Sequence, residues 1–408
     1  MKIKRYISYF VPVFINLSFF GTAGAQSLED YIVELKRKSS RLQAQMLEEK
    51  IAYEKINEAS RFPDLQWNAG VYILQPETRV GNQAFKFGVS QQIPWFGTNK
   101  AVKNWLKSRA ELSRHETALT EKQLVLTLKK LYYEIYALQK TVEKLKENKR
   151  ILKTYEDMAL AALSNHKASM TDVIKIRIQK NQLHVRIFQT LNRIEALQFR
   201  FNRLLERDEH LPVNVPALLD VTEIARFQND VSSHPVLLKK RQEKNVWEQA
   251  YRMTRKKQGP KISFGLDYVI VQPSSMDVPR NGKDIVMPKI GLAIPLFNRA
   301  YRSELRQTEW QQQKTDLQYE DLENQLADAL TKAEKGLENA IVQVMAAEKN
   351  INETQRAIDL MLKAYETGKP DFDEILKLQL QKIKFQLIKE EAVKQAFIHK
   401  AEIEFLTE

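Results

Sequence analysis

Four short segments of the chain alternate between apolar and polar residues, the period of a β-strand with one apolar face. In the third segment, for example, Phe264, Leu266 and Tyr268 share one face, and the residues between them are small or polar. Each segment has about the 9–11 residues that a tilted strand needs to cross a bilayer. A soluble sheet with one face on a core is the alternative, but the small, polar second face favours a water-filled barrel. The predicted strands are residues about 64–74, 85–94, 261–271 and 285–295.

Two of these strands end at a proline that a long helical pattern follows. The sequences are Ile93-Pro94-Trp95-Phe96-Gly97 and Ile294-Pro295-Leu296-Phe297. A proline cannot donate to a sheet ladder, and it holds the preceding residue in an extended conformation. We therefore predict strand-to-helix hinges at Pro94, Gly97 and Pro295.

The longest patterns in the chain are two proline-free helical runs, at about 100–163 and 300–367. Apolar residues recur along both at steps of three and four, as in a coiled-coil seam. With a rise of 1.5 Å per residue, each run would be roughly 95–100 Å long, which no compact domain needs. Each run turns back at a tip and returns as a second helix. Two long helical hairpins are therefore predicted, at about 100–206 and 300–406.

The chain consists of two related halves. The segments after the first helix of each half align without a gap at a spacing of 197 residues, and the two hairpin tips align at a spacing of 202 residues. Each half is predicted to contain a helix, two strands and one hairpin. We place the first repeat at 26–232, including a linker that contains Pro212 and Pro216, and the second repeat at 233–408.

The first 25 residues have the layout of a secretory signal peptide. Three basic residues precede an apolar run from position 6 to position 20, and Ala23-Gly24-Ala25 provides a small-x-small cleavage site. No later stretch approaches 18 consecutive apolar residues, so a bundle of membrane-spanning helices is excluded. An exported chain of this kind contacts a membrane only as a barrel or at the surface.

Four strands cannot close a barrel around a channel. Their unpaired edges would be exposed to lipid, which has no groups to satisfy the backbone. We therefore expect several copies to share one barrel, and three copies would provide twelve antiparallel strands. The predicted fold class is mainly α, with two long coiled-coil hairpins per chain and a membrane β-barrel shared by a trimer.

Composition and charge exclude several other functions. The formal net charge is +13, or +10 without the signal peptide, but lysine and arginine alternate with glutamate along the helices and indicate solvated faces rather than a nucleic-acid site. The chain has no cysteine, and its six histidines have no metal-ligand spacing. No GxSxG, P-loop or GxGxxG motif occurs. We predict no enzyme activity, no cofactor and no metal site.

The order of signal peptide, helix, strand pair and hairpin, repeated once, resembles the TolC family of outer-membrane efflux ducts. The resemblance covers nearly all of the mature chain. Its specific motifs are His234-Pro235-Val236-Leu237, Gln91-Gln92-Ile93-Pro94-Trp95-Phe96-Gly97 with its partner Leu292-Ala293-Ile294-Pro295-Leu296-Phe297, and the second tip, Tyr365-Glu366-Thr367-Gly368.

The resemblance implies a passive homotrimeric duct in the Gram-negative outer membrane, with a helical tunnel in the periplasm. It also implies two protein partners, a periplasmic adaptor and an inner-membrane pump. The Pro94-Trp95-Phe96-Gly97 sequence is similar to members that work with heavy-metal pumps of the RND class. The tip residues that would contact the adaptor are Asn165, His166, Lys167, Thr367, Gly368 and Lys369.

In many members of this family, acidic residues just past the second tip narrow the periplasmic mouth. Glu374 stands at one such position, but Lys377 stands where a second acid is expected. Asp371 and Asp373, with Asp172 at the first tip, complete the candidate aperture. The alternative is that these carboxylates stabilise helix N-termini through the dipole.

A second function remains open, that of a soluble exported adaptor or structural rod. Adaptors also contain long hairpins, but they combine one hairpin with compact β-domains. Two hairpins and four isolated strands favour the duct. The sequence does not specify the substrate.

Overall fold

The computed structural model describes residues 26–60, 62–164, 169–224, 230–295, 299–366 and 372–407. The predicted signal peptide and the tip residues 165–168 and 367–371 lie outside this range. The helices are α1 (Leu28–Lys38), α2 (Ser40–Glu54), α3 (Thr98–Ser164), α4 (Met170–Leu204), α5 (Pro235–Lys257), α6 (Arg299–Glu366) and α7 (Phe372–Thr407). The strands are β1 (Gln66–Val71), β2 (Glu77–Thr78), β3 (Gly81–Ile93), β4 (Lys261–Gln272) and β5 (Ile285–Ala293).

The four long strands form one antiparallel sheet in the order β1-β3-β4-β5. Two of its strands differ most from the predicted bounds. β1 is shorter than predicted because its pairing with β3 runs only from Gln66 to Val71. β3 begins earlier, at Gly81, because β2 pairs with its first residues. The two-residue β2 is a fifth strand that the period-two pattern is too short to reveal.

The sheet has one apolar and one polar face, as the alternation predicted. On the apolar face, Trp67 is 76% exposed and Ile290 is 77% exposed. Phe87, Phe264 and Leu266 on the same face are also exposed. The described residues therefore leave this face uncovered, whereas a soluble sheet would bury it on a core.

The first helical segment is interrupted, although the sequence pattern predicts one helix of about thirty residues. α1 ends at Lys38, and the Ser39 side chain accepts a hydrogen bond of 3.4 Å from the Leu42 N–H, which starts α2. Serine side chains compete for backbone hydrogen bonds in this way. A capping box starts α1, since the Asp30 N–H donates to the Ser27 hydroxyl and the Ser27 N–H donates to the Asp30 carboxylate.

The central helix of the fold is α3. It packs against α2 and α5 near the sheet and against α4 and α7 along the hairpins, while α6 packs against α5 and α7. The predicted seam is buried, including Leu124, Leu128, Leu131 and Ile135 on α3. Among the described helices, none combines the length and apolar character needed to cross a bilayer.

A buried amide network joins the two hairpins between α3 and α7. Asn148, which has no exposed surface, donates through Nδ2 to Gln386 Oε1 at 2.7 Å and accepts at Oδ1 from Gln379 Nε2 at 2.6 Å. Its Nδ2 also donates to the Lys144 carbonyl at 2.7 Å. These amides lie in an apolar seam and hydrogen-bond only in the correct geometry. If α7 shifted by one turn relative to α3, buried amides would be left without partners. The network therefore fixes the axial register of the hairpins.

The helix after the linker begins at Pro235, and His234 is its cap. The His234 Nδ1 accepts from the Val236 N–H at 3.2 Å, and the ring lies against Phe405 with 5.0 Å between ring centroids. Burial, together with the nearby charge of Lys122, lowers the pKa of His234 to about 4. The imidazole is therefore neutral at neutral pH, as its role as acceptor requires.

We predict that this cap makes the fold sensitive to acid. In the unfolded chain His234 binds a proton below a pH of about 6.5, but in the folded chain it does so only near pH 4. The free energy of unfolding therefore decreases as the pH falls from about 6.5 to about 4, by about 3 kcal/mol in total. Thermal unfolding followed by circular dichroism in detergent at pH 7.5 and pH 4.5 measures the loss. The control is His234→Asn, which keeps a capping acceptor without titrating. An equal acid shift in this variant would contradict the prediction.

Candidate functional site

An ion-paired cluster joins the two hairpins near their tips. The Asp373 carboxylate on α7 contacts Lys175 Nζ of α4 at 2.7 Å and Lys377 Nζ at 3.0 Å. Lys175 and then Lys377 lower the pKa of Asp373 below its usual value. The Lys175–Asp373 pair is a direct link between the first and second hairpins of one chain.

Lys377 also neutralises the exposed acid of the candidate aperture. Its Nζ lies 3.0 Å from Glu374 Oε1, and Asp373 and Glu374 together raise the pKa of Lys377 well above its usual value. Two acidic and two basic side chains therefore meet here, counting Lys175. The formal charges of these four side chains cancel one another.

The other candidate aperture residues behave differently. Asp172 forms a capping box at the start of α4, where its Oδ2 accepts from the Ser169 N–H at 3.1 Å. That contact matches the alternative interpretation, stabilisation of a helix N-terminus. Asp371 and the six predicted adaptor-contact residues lie outside the described residues. A gating role for Asp373 and Glu374 stays a prediction.

A second cluster of ion pairs lies further from the tip, within the first hairpin. Glu156 on α3 is buried, accepts from Arg177 Nε at 2.7 Å and pairs with Lys180, both on α4. Lys180 and then Arg177 lower the pKa of Glu156 to about 2. Sequence reasoning missed this site, although an acid inside the α3 seam next to the buried Tyr155 is a signal that could have revealed it.

Aromatic packing holds the first turn of α7 against α3 and α6. Phe372 makes edge contacts with Tyr155 of α3 at 5.8 Å and with Tyr365 of α6 at 5.6 Å between ring centroids. Asp373 and Glu374 follow Phe372 directly. The position of the acidic residues is therefore set by a packed aromatic neighbour on each hairpin.

The first strand-to-helix connection is a tight turn that contains Pro94 and Gly97. Gly97 has a φ of +80°, which favours glycine, and the Thr98 N–H donates to the Trp95 carbonyl at 3.0 Å. The Thr98 hydroxyl donates to the Lys256 carbonyl at 3.2 Å, which ties the turn to the end of α5. In the second half, Pro295 lies two residues after the end of β5, and residues 296–298 lie outside the described range.

The polar face of the sheet contains a buried carboxylate that the sequence pattern did not reveal. Asp267 on β4 is 1% exposed and lies 2.7 Å from Lys86 Nζ on β3 and 2.5 Å from Lys289 Nζ on β5. The residue paired with it across the sheet is Gly88, where a Cβ atom would lie 2.7 Å from Asp267 Oδ1. One acid thus ties three strands together and leaves the polar face with excess positive charge.

The described residues contain no group of three histidine, cysteine or acidic side chains placed to hold a metal ion. The nearest approach to ligand geometry is a pair, with His399 Nδ1 2.9 Å from Glu402 Oε2. A pair of this kind on one helix face is an ordinary surface contact.

Comparisons with known proteins agree with this architecture. Residues 228–379 match the family model described as outer membrane efflux protein. The fold is similar to that of the outer membrane protein VceC of Vibrio cholerae, with a TM-score of 0.73 at 14% identity over 93% of this chain and 95% of that one. No curated protein sequence matches the chain.

Two further solved structures are similar over most of their length. CusC, described in terms of folding and transmembrane channel formation, gives a TM-score of 0.78 at 15% identity over 96% of this chain and 95% of that chain. The CmeC outer membrane channel of Campylobacter jejuni gives 0.75 at 11% identity over 93% and 85%. At these identities the likeness concerns the fold, and the predicted TolC-like fold is confirmed.

We predict that the Lys175–Asp373 pair stabilises the start of α7. Both side chains are partly exposed, so Lys175→Gln should cost at most about 1 kcal/mol, or roughly a fivefold faster amide exchange in the first turns of α7. Hydrogen exchange read by mass spectrometry measures this. Lys335→Gln, which breaks the exposed Lys335–Glu338 pair on α6, is the matched control. Unchanged exchange in α7, or an equal change in the control, would contradict the prediction.

Proposed function

Because the chain has the fold of outer-membrane efflux channels and its residues 228–379 match their family model, we propose that it is the outer-membrane channel of a tripartite efflux system. The chain provides a passive conduit from periplasm to exterior. A periplasmic adaptor and an inner-membrane pump provide recognition and energy.

The observation that carries this proposal is the exposed apolar face of a sheet whose two edges are free. β1 and β5 are the edges, and successive strands along the order β1-β3-β4-β5 alternate in direction. β5 of one chain is therefore antiparallel to β1 of a neighbouring chain. Three chains close into twelve long antiparallel strands with the apolar face towards lipid and the polar face towards water.

The helices support the same trimer. α4 and α6 are at opposite sides of the helical layer, and each has apolar residues that the chain itself leaves exposed. If α4 of one subunit packs on α6 of the next, both stripes are buried and the hairpins form a closed tube. The exposed residues are Ile174, Ile178, Val185 and Phe188 on α4, and Leu317, Val342, Met345 and Leu360 on α6.

In this assembly the hairpin tips form the periplasmic mouth and the docking surface for the adaptor. Opening the mouth requires the two hairpins of a chain to move apart at their ends, which strains the Lys175–Asp373 contact. The Asn148 network lies further from the tips and keeps the two hairpins in register, and the Glu156 ion pairs join α3 to α4 within the first hairpin. Contact with the adaptor would provide the energy for the movement at the tip.

The pump that fits best is of the RND class. The Pro94-Trp95-Phe96-Gly97 hinge resembles that of channels that serve heavy-metal pumps, which makes metal ions the first substrate class to examine. Deletion of the gene should raise sensitivity to copper, silver, zinc or cadmium salts more than to drugs and detergents. The reverse order of sensitivities would remove the metal assignment and leave the channel assignment intact.

We predict opposite effects for lysine on the two faces of the sheet. Ile290→Lys places a charge on the face towards lipid, at a cost of about 2–4 kcal/mol near mid-bilayer, and should reduce heat-labile trimers in outer-membrane fractions. Ser90→Lys, on the polar face, is the matched control and should assemble normally. Equal behaviour of both variants, or release of the wild type with the periplasm as a water-soluble monomer, would overturn the barrel.

We also predict that Glu374 influences conduction through the mouth. Glu374→Lys removes one of the two acidic partners of Lys377 and makes each of three tips more positive by two charges, so cation preference in planar bilayers should fall. Glu338→Lys on α6, which breaks an equivalent surface pair distant from the mouth, is the control. Unchanged conductance and ion preference in Glu374→Lys would exclude Glu374 from the gate.

A further inference from the structure

A group of basic residues lies where the sheet meets the helices. Many lysines along the hairpins pair with glutamate or aspartate, such as Lys129 with Glu404. By contrast, a groove between the start of α3 and the end of α5 is lined by four basic residues for which the described part of the chain shows no ion pair. These residues, which we call the basic belt, are Lys100, Arg252, Arg255 and Lys256.

The groove is large enough for a ligand and has an aromatic wall. Its volume is about 670 Å³, and Trp95 lines it together with Gly97 and Gly259. A Cβ atom at Gly259 would lie 2.8 Å from the Trp95 ring, so this glycine allows the indole to lie against the end of α5. A neighbouring cavity of about 240 Å³ shares Trp95 and Lys256.

The groove lies where the end of β3 meets the end of α5. Trp95 and Phe96 follow Pro94 at the end of β3, and Phe96 is 79% exposed. Phe62, which precedes β1, is exposed as well. Exposed aromatic residues next to basic ones, at the end of a lipid-facing surface, are typical of the boundary between hydrocarbon and headgroups.

On α5 the basic residues lie roughly opposite the buried positions. Val246 and Ala250 are buried, whereas Arg252 and Lys256 are exposed about 200–280° around the helix from them. The basic side chains of α5 are therefore accessible to a ligand outside the chain.

We propose that the basic belt binds the phosphate of an anionic phospholipid in the leaflet next to the helices. Trp95 and Phe96 contact the glycerol and upper acyl region of the same lipid, while Arg252, Arg255 and Lys256 contact the headgroup. Arginine suits this role because its planar fork donates two parallel hydrogen bonds to phosphate. The inference rests on the proposed membrane barrel, which places this junction at a bilayer surface.

The test compares lipid binding by the full-length protein in nonionic detergent. Native mass spectrometry counts bound phosphatidylglycerol and bound phosphatidylcholine with identical acyl chains. The wild type should prefer phosphatidylglycerol, and the triple variant Arg252→Gln, Arg255→Gln, Lys256→Gln should lose about tenfold or more of that preference. The matched control removes three charges from exposed positions far along α6, by Lys332→Gln, Lys335→Gln and Arg356→Gln, and should keep it.

Each of the following results would overturn the proposal. The first is equal binding of the two lipids by the wild type, and the second is an equal loss in the control. The third is displacement of the lipid by millimolar inorganic phosphate, which would indicate a site for free phosphate. If the belt variant instead shifts ion selectivity in planar bilayers without changing the lipid count, the groove faces the channel. Failure of the wild type to form trimers or pores would instead reject the proposed function.

Discussion

The structure depends on a sheet that cannot be satisfied within one chain. β1 and β5 have free edges, and the apolar face that contains Trp67 and Ile290 is exposed to solvent in the isolated chain. The free strand edges need hydrogen-bond partners, and the apolar face needs an apolar environment. In a bilayer, both needs are met when the sheet closes into a barrel. The alternating direction of the strands allows closure by copies of the same chain. The helical hairpins are attached to this sheet, so in the proposed trimer the barrel and the helical tube share one symmetry.

The tube itself needs a different kind of specificity. Coiled-coil seams of leucine and alanine pack well in more than one register, because each turn presents a similar surface. The amides of Asn148, Gln379 and Gln386 distinguish one register from the others, since a slip would leave them unsatisfied in an apolar seam. Register matters here because the aromatic contacts of Phe372, and with them the positions of Asp373 and Glu374, move with α7.

Much of the fold could be predicted because its determinants are local. Period-two alternation predicted the four long strands, the proline at position 94 predicted the hinge, and the three- and four-residue steps predicted the hairpins. The break at Ser39 was missed because helix propensity continues across it. The ion pairs of Asp267 with Lys86 and Lys289, and of Asp373 with Lys175, join residues about 20 to 200 positions apart, and without a register the sequence cannot tell which lysine meets which acid.

The distribution of ion pairs has a consequence for how the mouth could work. At the described part of the tips, Lys175 and Lys377 offset Asp373 and Glu374, so attraction within a chain holds the hairpins together. In a purely acidic ring the carboxylates would repel one another, so a closed mouth would need bound cations or a strained backbone to stay closed. Where lysines pair with the acids, opening of the proposed mouth breaks these ion pairs, and the separated side chains need new partners. An adaptor with charged residues of its own can provide those partners. Opening by partner exchange would then depend on salt, because screening weakens exposed pairs of this kind.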